Sequence, residues 1–152
     1  MTDDEQNAPP DAAVGRLDVP TLQTLAQRAA THPLVVDWSF DPSSLSPRRL
    51  QLSLDAHAYP ERVATARLDI RWFTSGDYSV HYLELGQDDG DGPQYHCRWD
   101  RHPKPTAPRT HFHPPPDAGT AEPSSLEPHH LEVLFTALDW IRERVEQSHG
   151  TT

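Results

Sequence analysis

The residues able to do chemistry crowd into one stretch, Tyr95 to Pro116, which reads YHCRWDRHPKPTAPRTHFHPPP. It holds four of the ten histidines, three arginines, one aspartate and the only cysteine. Read with the two-residue period of a strand, its first part divides into two faces. Tyr95, Cys97 and Trp99 point one way; His96, Arg98 and Asp100 point the other. The pattern recurs in residues 109–113, where His111 and His113 share a side and Phe112 takes the opposite one. Two short strands each offer an apolar side to a core and a proton-handling side to something else.

These side chains fit two chemistries. Metal-free RNA cleavage needs a base for the 2′-hydroxyl proton, an acid for the leaving oxygen and a cation for the charged phosphorane. Histidine suits the first two tasks because its pKa lies near neutrality. Arginine suits the third because its planar fork matches phosphate oxygens. On this reading His111 and His113 form the acid–base pair, and Asp100 orients a histidine. Arg98, Arg71 and His96 meet the substrate, and no cofactor is needed. The alternative is a divalent metal such as zinc. His111 and His113 on one side of a strand supply two imidazoles, and His96 or Asp100 supplies a third ligand. The chain has no CxxC and no HExxH.

A plain structural role stands beside both. Arg67, Asp69 and Arg71 then form a cross-strand charge ladder. His102, His129, His130 and His149 are solvated, and Trp38, Trp72, Trp99 and Trp140 are core. Cys97 is a small buried apolar residue, not a nucleophile.

The elements that must position these residues follow from periodicity. Asp18 caps a short amphipathic helix over 19–31, with Leu22, Leu25, Ala26 and Ala29 on its apolar side. Strands follow at 34–40, with Leu34, Val36, Trp38 and Phe40 on one side, and at 49–54, with Leu50, Leu52 and Leu54 inward. The strand at 66–73 sends Ala66, Leu68, Ile70 and Trp72 inward. At 78–85 the pattern leaves open which face holds His81, with the outward face preferred. A fifth strand covers 94–100, and a short sixth is expected at 109–113. Residues 114–127 read as a loop. Leu131, Leu134, Phe135, Leu138, Ile141 and Val145 mark an amphipathic helix over 128–147. Hairpin-length connections imply antiparallel pairing. The expected fold is α+β: an antiparallel meander of five to six strands, one face covered by the C-terminal helix and the short N-terminal helix, the other open. The division is a disordered acidic arm over 1–16, a single domain over 17–148 and a tail over 149–152.

Composition narrows the setting. No apolar run reaches 18 residues, so no membrane span is expected. The polar N-terminus argues against a signal peptide, and one cysteine excludes an internal disulfide, so the cytoplasm is the expected location. The net charge is −10, with 15 Asp against 8 Glu, and 12 of the 13 basic residues are Arg. An acidic, Asp-rich, Lys-poor chain is similar to proteins of salt-adapted, haloarchaeal-like organisms, where large negative charge keeps a surface solvated. Local clusters then say more about partners than the total.

YHCRWDRHP, a short insert and THFHPPPD before a leucine-rich last helix resemble the TumE-type proteins, the toxins of toxin–antitoxin pairs. The matching positions are Arg98, Trp99 and Asp100, then His102, His111 and His113, and the likeness covers residues 34–147. The resemblance implies a toxin-like protein, an RNA-acting activity and a small antitoxin as partner. A homodimer and a non-enzymatic interaction module are the other expectations.

Overall fold

The structure is a computed structural model that describes residues 15–87, 92–102, 109–124 and 129–150. The arm expected over 1–16 lies outside these apart from its last two residues. So do parts of the loops after the fourth and fifth strands and the residues where the last helix was expected to begin.

Helix α1, Val19–Ala29, begins where Asp18 caps it: the Thr21 amide and hydroxyl donate to the Asp18 carboxylate at 3.2 and 2.7 Å. A seven-stranded sheet follows: β1 (Val35–Asp41), β2 (Arg49–Leu54), β3 (Thr65–Trp72), β4 (Tyr78–Leu85), β5 (Tyr95–Arg101), β6 (Thr110–His113) and β7 (Glu122–Pro123). Helix α2, His130–Gly150, closes the chain. Spatial order equals sequence order, and every neighbouring pair is antiparallel. The fold is α+β, as the periodicities imply, with one strand more than expected. The addition, β7, lies in the stretch read as loop. It is two residues long and contains a proline, so it carries no strand signal of its own. It pairs through His111 with Pro123 and Phe112 with Glu122.

Both helices lie on one face. Leu22, Leu25, Ala26 and Ala29 of α1 and Val133, Leu134, Ala137, Leu138, Ile141 and Val145 of α2 are buried against it. The sheet answers with Leu50, Leu52, Ala66, Leu68, Ile70, Trp72, Tyr78, Val80, Tyr82, Cys97 and Trp99. Trp38 is the exception among the tryptophans expected in the core. It is 38% exposed, because β1 is the terminal strand and a register shift between Val35 and Asp37 leaves only Val35 of that end inside. Helix α2 also runs past Gln147 to Gly150, through part of the expected tail. Its last turn is tied down: Arg62 donates to the Ser148 carbonyl and His149 to the Ala58 carbonyl, at 3.0 and 2.7 Å.

One charge sits inside this apolar layer. Glu84 follows Tyr78, Val80 and Tyr82 on the helix side of β4 and is 0% exposed. Arg144 of α2 donates to both its oxygens, at 2.8 and 2.9 Å, and Tyr82 donates a hydroxyl hydrogen bond at 2.6 Å. The Arg144 guanidinium also lies 3.6 Å from the Tyr95 ring centre. The pair fixes how α2 sits along β4 and β5, because a buried carboxylate has no tolerable position away from its partner. Arg144→Ala should therefore lower stability by roughly 3–5 kcal/mol, the cost of leaving a buried charge unpaired. The measurement is urea unfolding; a loss below about 1 kcal/mol, the range of an exposed pair, would contradict this assignment.

Candidate active site

The side chains of β3 to β6 that point away from the helices make a polar face. Register sets them in rows. Asp69, His81, Arg98 and His113 form one row, one residue from each strand. Arg71, Ser79, Asp100 and His111 form the next. Arg67, Leu83 and His96 form the row on the other side. Strands lie about 4.8 Å apart, so row neighbours touch while residues two strands apart do not. All six expected residues (Arg71, His96, Arg98, Asp100, His111 and His113) thus share this face, and His81 takes its preferred outward position.

The face has a buried half and a solvent-facing half. At the buried end Asp100 is 3% exposed, His111 1% and His113 9%. Arg98 donates its Nε hydrogen to Asp100 Oδ2 at 2.7 Å. His113 donates from Nδ1 to the Gly119 carbonyl at 2.8 Å, since a carbonyl can only accept. The other ring nitrogen, Nε2, faces Asp100 Oδ2 at 3.2 Å but without hydrogen-bond geometry. His111 Nε2 lies 3.1 Å from His102 Nε2, and His102 Nε2 lies 3.8 Å from Asp100 Oδ2. His102, expected in solvent, is buried here. Asp77, fully buried, clamps this end from the β3–β4 turn by accepting from Arg101 and Arg109 at 2.9 to 3.0 Å. That turn needs Gly76 at φ +88°, where a side chain would be strained.

At the open end, His81 Nε2 and His96 Nδ1 lie 2.9 Å apart, so one ring donates to the other. His81 is held neutral: burial, then His96, Arg98 and Arg67, push its pKa down to about 4. His96 is lowered as well, by burial first, with Asp117 working against it and Arg98 with it. Arg67 donates Nε to both Asp69 oxygens at 3.1 Å. The expected ladder of Arg67, Asp69 and Arg71 is a same-strand Arg67–Asp69 pair, and the cross-strand contact to Asp69 comes instead from Arg49 of β2 at 4.0 Å. Arg71 is exposed, with its guanidinium 5.9 Å from the Phe73 ring centre. The segment after β6 folds back over β5: His96 donates its amide hydrogen to the Pro116 carbonyl, and Ala118 donates to the His96 carbonyl, at 2.8 and 3.0 Å. Cys97 lies on the helix side with its thiol pKa pushed up by burial, as a core residue should.

The fold and this face define a small α+β protein with a His, Arg and Asp cluster on the sheet face opposite the helices. The family model described as Toxin TumE matches residues 23–145, most of the chain, and the chain belongs to that toxin family. The match begins inside α1, further toward the N-terminus than the motif-based likeness from residue 34. No curated protein and no solved structure matches the chain. The family makes the chain a toxin component of a toxin–antitoxin pair, and an antitoxin is the partner it implies. No helix among the described residues is long and apolar enough to cross a membrane.

Sequence reasoning underweighted His81, and it placed His102 in the family motif while reading its side chain as solvated. His81 sits on a strand whose two faces both carry aromatic or aliphatic residues, so alternation alone does not orient it. For His102 the neighbouring prolines suggested a solvated loop.

The neutral His81 has a consequence for stability. The unfolded chain binds a proton near the ordinary value of 6.5, whereas folded His81 binds one only near 4. Between those values the unfolded state holds more protons, so stability falls as pH drops through the window. His81→Gln should flatten that fall. The check is the urea midpoint at pH 7 and pH 5 for both proteins; an equal drop in the two would contradict a neutral His81.

Proposed function

We propose that the chain is a ribonuclease toxin of a salt-loaded cytoplasm, and that the polar sheet face is its site. The observation that carries this is the His81–His96 contact at 2.9 Å, flanked by the arginines that depress His81. In this reading His96 donates from Nδ1 to His81, which is neutral near pH 7, and the other His96 nitrogen is left unprotonated. That nitrogen takes the 2′-hydroxyl proton of RNA. The freed oxygen attacks phosphorus, the bond to the 5′ oxygen breaks, and water protonates the leaving oxygen. A 2′,3′-cyclic phosphate remains. His81 accepts the hydrogen bond of the imidazolium that forms, so it is a positioning residue.

Arg98 binds the phosphate and meets its developing charge, with Arg71 on the exposed rim as a second contact. Asp100 holds Arg98 through the 2.7 Å bond. His111 and His113, expected as the acid–base pair, lie too deep to meet RNA in this arrangement; their part in the proposal is to hold Asp100. The local arginines supply the attraction for RNA that the net charge of −10 withholds. A second reading, a non-enzymatic interaction module, draws on Val36 and Trp38, exposed on the terminal strand β1. A sheet edge of that kind is where an antitoxin or a second copy can add a strand.

The test is growth of a host carrying inducible wild-type protein beside His96→Gln and Arg98→Gln, at matched soluble levels. Loss of a positioned base lowers turnover by roughly 10²–10⁴, so wild type should arrest growth and both variants should not. No arrest by any of the three, in a host of suitable internal salt, favours the interaction module.

A further inference from the structure

The buried end of the polar face has a feature that RNA cleavage does not use. His113 gives its only neutral-form hydrogen to the Gly119 carbonyl, so its Nε2 carries a lone pair. Asp100 Oδ2, another acceptor, lies 3.2 Å from that nitrogen. Two acceptors held this close and away from water repel unless something positive lies beside them. Among the described residues neither His113 Nε2 nor Asp100 Oδ1 has a hydrogen-bond partner, and both atoms are buried. His111 completes a set: the ligand atoms of Asp100, His111 and His113 lie within 4.8 Å of one another.

We infer that Asp100, His111 and His113 bind one divalent cation of the zinc type. Bond lengths of about 2.0–2.2 Å to imidazole nitrogen and carboxylate oxygen bring tetrahedral ligands to separations of about 3.3 Å, which His113 and Asp100 already meet at 3.2 Å and which His111 reaches by a small inward shift. The donor set, two imidazoles and a carboxylate, suits zinc and disfavours magnesium or calcium, which require mostly oxygen. The Gly119 carbonyl does what outer partners of metal-bound histidines do: it fixes the tautomer and turns Nε2 toward the ion. Arg98 holds the carboxylate through Oδ2, which leaves Oδ1 for the ion. His102, 3.1 Å from His111 and 3.8 Å from Asp100, stands where a fourth ligand belongs. Four protein ligands would close the site, the pattern of a structural metal and not of one that activates water. His96, the alternative third ligand in the sequence reading, is occupied with His81 and lies outside this set.

The ion would tie β5 to β6 and to the segment ending at Gly119. It would thereby hold Arg98 in place without entering the reaction, so the site stands or falls independently of the ribonuclease proposal.

The experiment uses the full chain, stripped with a chelator and titrated with zinc chloride against a chromophoric competitor, and separately with cobalt chloride. The expected result is one equivalent bound, a visible cobalt spectrum of tetrahedral intensity, and a Tm rise of roughly 5–10 °C at zinc a hundredfold above its Kd. Asp100→Asn and His111→Gln should weaken zinc binding at least as much as the roughly 10–100-fold loss from outer-shell changes, while His96→Gln should bind like wild type. If the two ligand variants fail to fold, the wild-type cobalt spectrum decides. Less than a tenth of an equivalent with no Tm change overturns the inference. Loss of binding in His96→Gln also overturns it, because the ion would then sit on the exposed histidine pair.

Discussion

Antiparallel register is the constraint on which the polar face depends. Asp69, His81, Arg98 and His113 come from four strands spread over 45 positions of sequence (113 − 69 = 44 steps), yet pairing sets them side by side. Side chains alternate across a strand, so a slip of one residue in any pairing would carry that strand's histidine or arginine to the helix side. Register is held from the opposite face. Leu68, Ile70, Val80, Tyr82, Cys97 and Trp99 have no other place to go, and the Glu84–Arg144 pair fixes where α2 lies on them. The apolar layer and its one buried charge therefore do the positioning, and the polar face receives it.

The same residue types behave differently at the two ends of that face because burial differs. At the open end, partial burial and neighbouring arginines keep His81 neutral, and it shares one hydrogen bond with His96. At the closed end, the segment after β6 folds over the sheet, and its Gly119 carbonyl orders His113. Asp100 belongs to both ends: Arg98 and the histidines His113 and His102 all approach its Oδ2 oxygen. Changes at the buried end should therefore be felt at Arg98, through Asp100, without His111 or His113 reaching solvent.

Much of this was legible in the chain. Alternation in residues 95–100 separated Cys97 and Trp99 from His96, Arg98 and Asp100, and the structure keeps that division. The spacing of Leu131 through Val145 marked the covering helix. What alternation could not convey was depth. His111 and His113 lie on the polar side as read, yet both are buried, and alternation carries no measure of depth. Glu84 was hidden for the converse reason. It occupies an apolar-face position, and only the arrival of Arg144 from 60 residues away makes its burial tolerable. Trp38 shows the limit of a composition rule, since a large aromatic on a terminal strand lacks a layer to pack under.

The most direct measurement is made on purified protein with a single-stranded RNA and with the same strand carrying 2′-deoxyribose throughout. A base on the polar face that attacks through the 2′-hydroxyl requires cleavage of the RNA alone, with 2′,3′-cyclic phosphate ends on the products. Equal cleavage of both strands, or none of either by protein that arrests growth, would contradict the account.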